Sequence, residues 1–123
     1  MDRLRVAISG SFRKHFEGIK SKIAEFESLG VEVLSPKSSA IVNPNEQFAI
    51  LATDQTNDPK QLEENHLLAI KESDFLYVFN PDGYIGLSTA MEMGYAKALG
   101  KPIISKEEPQ DVTLKCFVHN SGW

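Results

Sequence analysis

Glu92 is the side chain best placed to do chemistry. The residues before it, Asn80-Pro81-Asp82-Gly83-Tyr84-Ile85-Gly86-Leu87-Ser88-Thr89, read as a turn that leaves a buried strand and enters a helix. A helix start presents backbone N–H groups without intrahelical acceptors, which makes it an anion site. A carboxylate next to such a site can attack the anomeric carbon of a bound sugar and form a covalent intermediate. The same residues carry a plainer meaning. Thr89-Ala90-Met91-Glu92 fits a capping box, in which the glutamate accepts from the N–H of the capping residue. The two roles are compatible.

Strands and helices must alternate to position that turn. Asp74-Phe75-Leu76-Tyr77-Val78-Phe79 is nearly continuous apolar sequence, as expected of a strand covered on both faces of a parallel sheet. Gly83 and Gly86 supply permissive backbone, and Ser88 or Thr89 supplies a cap for the helix. Upstream, Leu4–Ile8 reads as the first strand and Ser9-Gly10-Ser11 as its turn. A helix follows whose core face is Phe12, Phe16, Ile19, Ile23, Phe26 and Leu29, closed by Gly30. Ser11 is either the cap of that helix or a phosphate contact, and Arg13 either a solvated charge or a second contact to the same anion.

Val31–Leu34 is the second strand, and Ser35 to Asp58 is polar and turn-rich, with a short helix possible over Glu46–Leu51. A connection of that length suits a flap over a ligand crevice, or a plain surface loop. Asp58-Pro59 opens the next helix, on which Leu62, His66, Ala69 and Ile70 share a face. His66 is then either a packed core residue or a partner of Glu92 and the sugar hydroxyls. Ile103-Ile104 begins a fourth strand after Gly100-Lys101-Pro102, and Val112–Val118 is a short helix or a final strand. The pattern predicts an α/β three-layer sandwich around a parallel sheet of four to five strands, flavodoxin- or Rossmann-like, as a single domain over residues 1–123.

Composition narrows the partners. A formal charge of −4 and a pI near 5.3 argue against a nucleic-acid polymer, whose binding needs clustered Lys and Arg. One cysteine, Cys116, rules out an internal disulfide and is expected to be buried or half-buried. The start lacks an apolar segment long enough for secretion, and no stretch approaches a membrane span, so a cytoplasmic location is expected. Three histidines, His15, His66 and His119, show no metal-ligand spacing, and no metal or cofactor is expected. Trp123, with Phe117 and Val118, could pack on a neighbouring subunit.

Gly86-Leu87 followed by Met91-Glu92-Met93-Gly94-Tyr95-Ala96 resembles the glutamate motif of the nucleoside 2-deoxyribosyltransferase family, which deoxynucleoside-monophosphate N-glycosidases share. Ser9-Gly10-Ser11-Phe12-Arg13 is similar to the first loop of those N-glycosidases, and Ser73-Asp74 to a segment of the wider family. The resemblance spans roughly residues 4 to 105 and implies that Glu92 is the nucleophile, acting on a small-molecule nucleoside or nucleoside monophosphate. It further implies that Ser9, Gly10, Ser11, Arg13 and Ser88 hold the 5′ group, with Gly83, Tyr84, Gly86 and Thr89 completing the ligand loop, and that the protein is a homodimer or larger.

Two positions depart from the family. Its helix aspartate is replaced by His66, and a second aspartate aligns with Tyr84 or, with the turn shifted, Asp82; Asp82 or His66 would then protonate or orient the base. Water is the expected acceptor. A nucleotide-sensing module without chemistry and a phosphoribohydrolase for modified-base nucleotides are the alternative readings.

Overall fold

The structure, a computed structural model, describes residues 3–37, 42–44 and 49–123. Residues 38–41 and 45–48 of the 35–58 connection, and with them the first half of the helix expected over Glu46–Leu51, lie outside the described residues, and residues 49–51 are not helical. In chain order the elements are β1 (Arg5–Ser9), α1 (Phe16–Ser28), β2 (Glu32–Ser35), α2 (Pro59–Glu72) and β3 (Phe75–Val78). A 3-10 turn (Pro81–Gly83), α3 (Leu87–Ala98), β4 (Ile103–Ser105), α4 (Val112–Lys115) and β5 (Asn120–Ser121) follow. The five strands form one parallel sheet in the order β2-β1-β3-β4-β5.

Strand alternation sorts the core into two layers. Val6, Ile8, Tyr77 and Phe79 face Ile19 and Phe26 of α1. Ala7, Leu76 and Val78 face the other way, against Ile70 of α2 and Met93 and Ala96 of α3. This is the period of two expected of strands buried on both faces. Tyr77 is fully buried on the α1 side, with Lys22 over its ring, and burial pushes its phenol well above the usual range.

Three expectations need correction. Helix α1 starts at Phe16 rather than at Ser11, because residues 11–15 form a turn in which Ser11 Oγ accepts from the Lys14 N–H at 3.3 Å. Leu29 is 61% exposed, since the helix ends at Ser28 and the chain turns through Gly30 at φ +82°. Cys116 is exposed on the short α4, which presents its last residues to solvent. The Val112–Val118 stretch is helical, and the final strand comes after it.

Trp123 stacks on Phe26 of its own chain with ring centroids 6.2 Å apart, and Lys22 Nζ donates to its carbonyl at 2.6 Å. No helix of the described residues is long and apolar enough to cross a membrane.

The sheet order has a consequence for ligands. The chain leaves β1 toward β2 on one side and returns to β3 on the other, so a crevice opens beyond the carboxyl ends of β1 and β3. That switch point is where open parallel sheets bind ligands.

Candidate functional site

A cleft of about 810 Å³ occupies the switch point. Its walls are the loop after β1, the end of β2, the first half of α2, and the turn and first turns of α3. The loop after β1 runs close to the sheet: a Cβ on Gly10 would lie 2.7 Å from the Phe79 carbonyl, so only glycine fits there. Gly83, at φ +81°, is pressed against the Glu108 backbone and aims the chain toward α3.

Glu92 lies on the cleft wall and is 6% exposed. The helix begins at Leu87 with Gly86 as its N-cap and no side-chain cap, so Thr89 lies within the first turn and the capping box is not formed. Glu92 is thereby free of the helix terminus. It turns instead toward α2, where His66 Nε2 sits 3.5 Å from its Oε1.

His66 is fixed at both ring nitrogens. Ser35 Oγ lies 2.6 Å from Nδ1 and Ser9 Oγ 3.2 Å from Nε2, while Phe12 meets the ring edge-on. Burial alone would lower the imidazole, but the hydrogen bond and charge of the Glu92 carboxylate outweigh it and raise the His66 pKa. Burial likewise opposes ionisation of Glu92, yet hydrogen bonds from His66, Glu63 and Ser9 with the charge of His66 hold it below the usual carboxylate range. Both shifts favour the ion pair, an imidazolium beside a carboxylate.

Glu63, one turn before His66 on α2, is the member of the site that the motifs did not reveal. Burial, followed by its hydrogen bond and repulsion with Glu92, pushes its carboxyl up to about 8, and His66 offsets this only in part. Two carboxylates cannot hydrogen-bond each other unless one keeps its proton, and the opposed shifts favour Glu63 as the one that does. The spacing Glu63-x-x-His66, which puts both on one helical face, was the available signal.

The remaining expected residues divide. Gly10, Ser11, Arg13, Tyr84, Gly86, Ser88 and Thr89 line the cleft, and Ser9 reaches it through His66. Asp82 is exposed in the 3-10 turn at φ +63°, and neither it nor Gly83 lines the cleft. Arg13 donates to the backbone carbonyls of Asn43, at 2.8 Å, and Pro44, tying the first loop to the connection after β2. Lys14 lies 5.0 Å from the Tyr84 ring centre, so the first loop and the α3 turn meet across the cleft mouth. The first turn of α3 lines the same space through Gly86, Leu87, Ser88 and Thr89, and N–H groups at a helix start lack intrahelical acceptors. No group of three or more His, Cys, Asp or Glu among the described residues could hold a metal ion.

No family model matches the chain, and no curated protein does. Solved structures do. A CMP N-glycosidase, BcmB, from Clostridium botulinum is 22% identical, with a TM-score of 0.63 over 94% of this chain and 84% of that one. A 2-deoxyribosyltransferase from Bacillus psychrosaccharolyticus is 18% identical, with a TM-score of 0.68 over 95% of this chain and 84% of that one. A conserved protein from Enterococcus faecalis V583 is 17% identical, with a TM-score of 0.57 over 91% and 70%. The fold that the glutamate motif implied is the fold these structures share.

Proposed function

We propose that this protein is a nucleoside 2-deoxyribosyltransferase-like enzyme that cleaves the N-glycosidic bond of a nucleoside or nucleoside 5′-monophosphate, with Glu92 as nucleophile. One observation carries the reading: a nearly buried carboxylate, kept ionised by His66 and Ser9, faces an open cleft at the carboxyl end of a parallel sheet. The names of the two fold neighbours, an N-glycosidase and a deoxyribosyltransferase, agree with it.

Glu92 attacks C1′ through an oxocarbenium-like transition state, and the electron pair of the C1′–N bond leaves with the base. Water then attacks C1′, the glycosyl ester breaks, and the free sugar departs. Ser11, Ser88 and the first-turn N–H groups of α3 hold the 5′ group, a role that suits neutral donors around a phosphate. Arg13 stands behind them, bracing the loop through Asn43 and Pro44. His66 does not touch the base; it holds Glu92 in its ionised, aimed state.

The test is to incubate the protein with a panel of nucleosides and monophosphates and to follow free base by chromatography. Base release is expected from at least one of them, falling by at least about a thousandfold in Glu92→Gln. Asp82→Asn, a change outside the cleft, is expected to leave the rate unaltered. A 2-fluoro sugar analogue should become covalently attached to Glu92, and recovery of intact ligand after long incubation would instead leave a reversible nucleotide-binding protein.

A further inference from the structure

We infer that Glu63, rather than Asp82 or His66, is the catalytic acid that protonates the departing base, with His66 as a positioning residue; this rests on Glu92 being the nucleophile. Three groups could deliver a proton, and geometry separates them. Asp82 is exposed and off the cleft. His66 has both ring nitrogens committed, Nδ1 to Ser35 Oγ at 2.6 Å and Nε2 to Ser9 Oγ at 3.2 Å and Glu92 Oε1 at 3.5 Å. A ring so held cannot swing toward a base without breaking the contacts that ionise the nucleophile.

Glu63 lines the cleft beside Glu92, and its Oε2 is buried with no donor facing it among the described residues. A buried oxygen without a partner costs a carboxylate more than it costs a neutral carboxyl, and a neutral carboxyl is a proton donor. Burial and the neighbouring Glu92 charge keep it neutral up to about pH 8. The site thus holds two carboxyls driven apart in acidity, one ionised and one protonated, the division of labour that glycoside cleavage requires.

The proton balance closes. As the Glu92 oxygen bonds to C1′, the C1′–N electron pair moves to the base, which takes the Glu63 proton and leaves neutral. Glu63 is now a carboxylate, and it removes a proton from the water that attacks C1′. The C1′–O pair returns to Glu92, and both carboxyls regain their starting states. The groups facing Glu63 are Glu92 from α3 and His66 from its own helix, with Lys60 and Asp54 on the same cleft wall.

A leaving group that needs no proton separates this role from a structural one. The probe is a pentosyl fluoride 5-phosphate carrying the same sugar as the nucleotide that the wild type cleaves, since fluoride departs without acid assistance. In a single-turnover measurement, which stops before the Glu63-assisted water step, Glu63→Gln is expected to slow base release from the nucleotide by about 10²- to 10⁴-fold while leaving fluoride release close to wild type. The ratio of the two rates is independent of how much of the variant is folded. The ratio of the nucleotide rate to the fluoride rate of the wild type should fall above about pH 8. Titration of His66 acts through Glu92 and would affect both substrates alike. Equal losses on both substrates, or no loss on either, would overturn the assignment of Glu63. If Glu92→Gln still releases base and fluoride, the Glu92 reading itself fails and Glu63 falls with it.

Discussion

The protonated state of Glu63 makes the stability of this fold depend on pH in a way that needs no substrate to observe. In the unfolded chain its carboxyl titrates at an ordinary 4.5, and in the folded protein at about 8. Between those values the native state holds a proton that the unfolded state has lost, so stability falls as pH rises through that window. At about 1.4 kcal/mol per unit, the full shift would correspond to about 5 kcal/mol, but Glu63 is only half-buried and solvent screening reduces this to about 2 kcal/mol.

The neighbours add terms of known sign. His66 is raised, so its contribution is complete below about 6.5 and is lost as pH rises through its folded pKa. Glu92 is lowered, so its contribution is present above about 4.5 and is lost as pH falls through its folded pKa. The cluster therefore stabilises most near pH 5 to 6. Glu63→Gln keeps the shape and removes the first of these terms, together with what Glu63 itself adds to the shifts of its two neighbours. Urea unfolding of both proteins at pH 5.5 and pH 8.5 measures most of it, and the wild type should lose about 1.4 kcal/mol more than the variant over that interval. Stability curves for the two that run parallel, within about half a kcal/mol, would refute the raised acidity constant and with it the proton on Glu63.

Two further substitutions probe the frame around the cluster. Ser35→Ala removes the oxygen 2.6 Å from His66 Nδ1 and leaves a buried ring nitrogen unpaired, so it should destabilise by about 1–3 kcal/mol and lower the His66 pKa, measurable by NMR titration of the imidazole. Gly83→Ala places a Cβ 2.6 Å from the Glu108 carbonyl at φ +81°, where neither the backbone nor a left-handed alanine yields cheaply; a loss of about 2–4 kcal/mol in chemical denaturation is expected.

What was legible in the sequence follows physical range. The first four parallel strands and the three layers were carried by local signals: the apolar run Asp74–Phe79, the Asp58-Pro59 helix start, and Gly30 and Gly100 after their helices; the fifth strand, Asn120–Ser121, lies beyond the stretch in which a final strand was sought. Helix starts were less legible. Ser11 offers a capping oxygen as good as any in solution, but the first loop must skirt Phe79, and the helix waits until Phe16. Thr89 and Glu92 have the spacing of a capping box, yet Gly86 takes the N-cap position and leaves Glu92 to the cleft. The position of Asp82 depended on which residue of the turn would face inward, which is set by Gly83 against Glu108 and by Gln110 bonding the Asp82 carbonyl at 2.5 Å. Contacts so distant in sequence leave no local trace.

His66 is the position where sequence and structure inform each other most. On sequence it stands where the similar family carries an aspartate, and a histidine cannot perform a carboxylate's work. The structure shows what the exchange accomplishes. An aspartate there would set a second negative charge against Glu92 in a site with little water, and one of the two would have to take up a proton. With an imidazolium instead, Glu92 stays ionised, and the carboxyl that holds a proton moves one turn back along α2 to Glu63. The exchange works only because Ser9 and Ser35 occupy the other sides of the ring; without them a buried cation would cost more in desolvation than its attraction to Glu92 returns. Ser9 closes β1 and Ser35 closes β2, so the strand ends that define the crevice also hold the ring that faces Glu92.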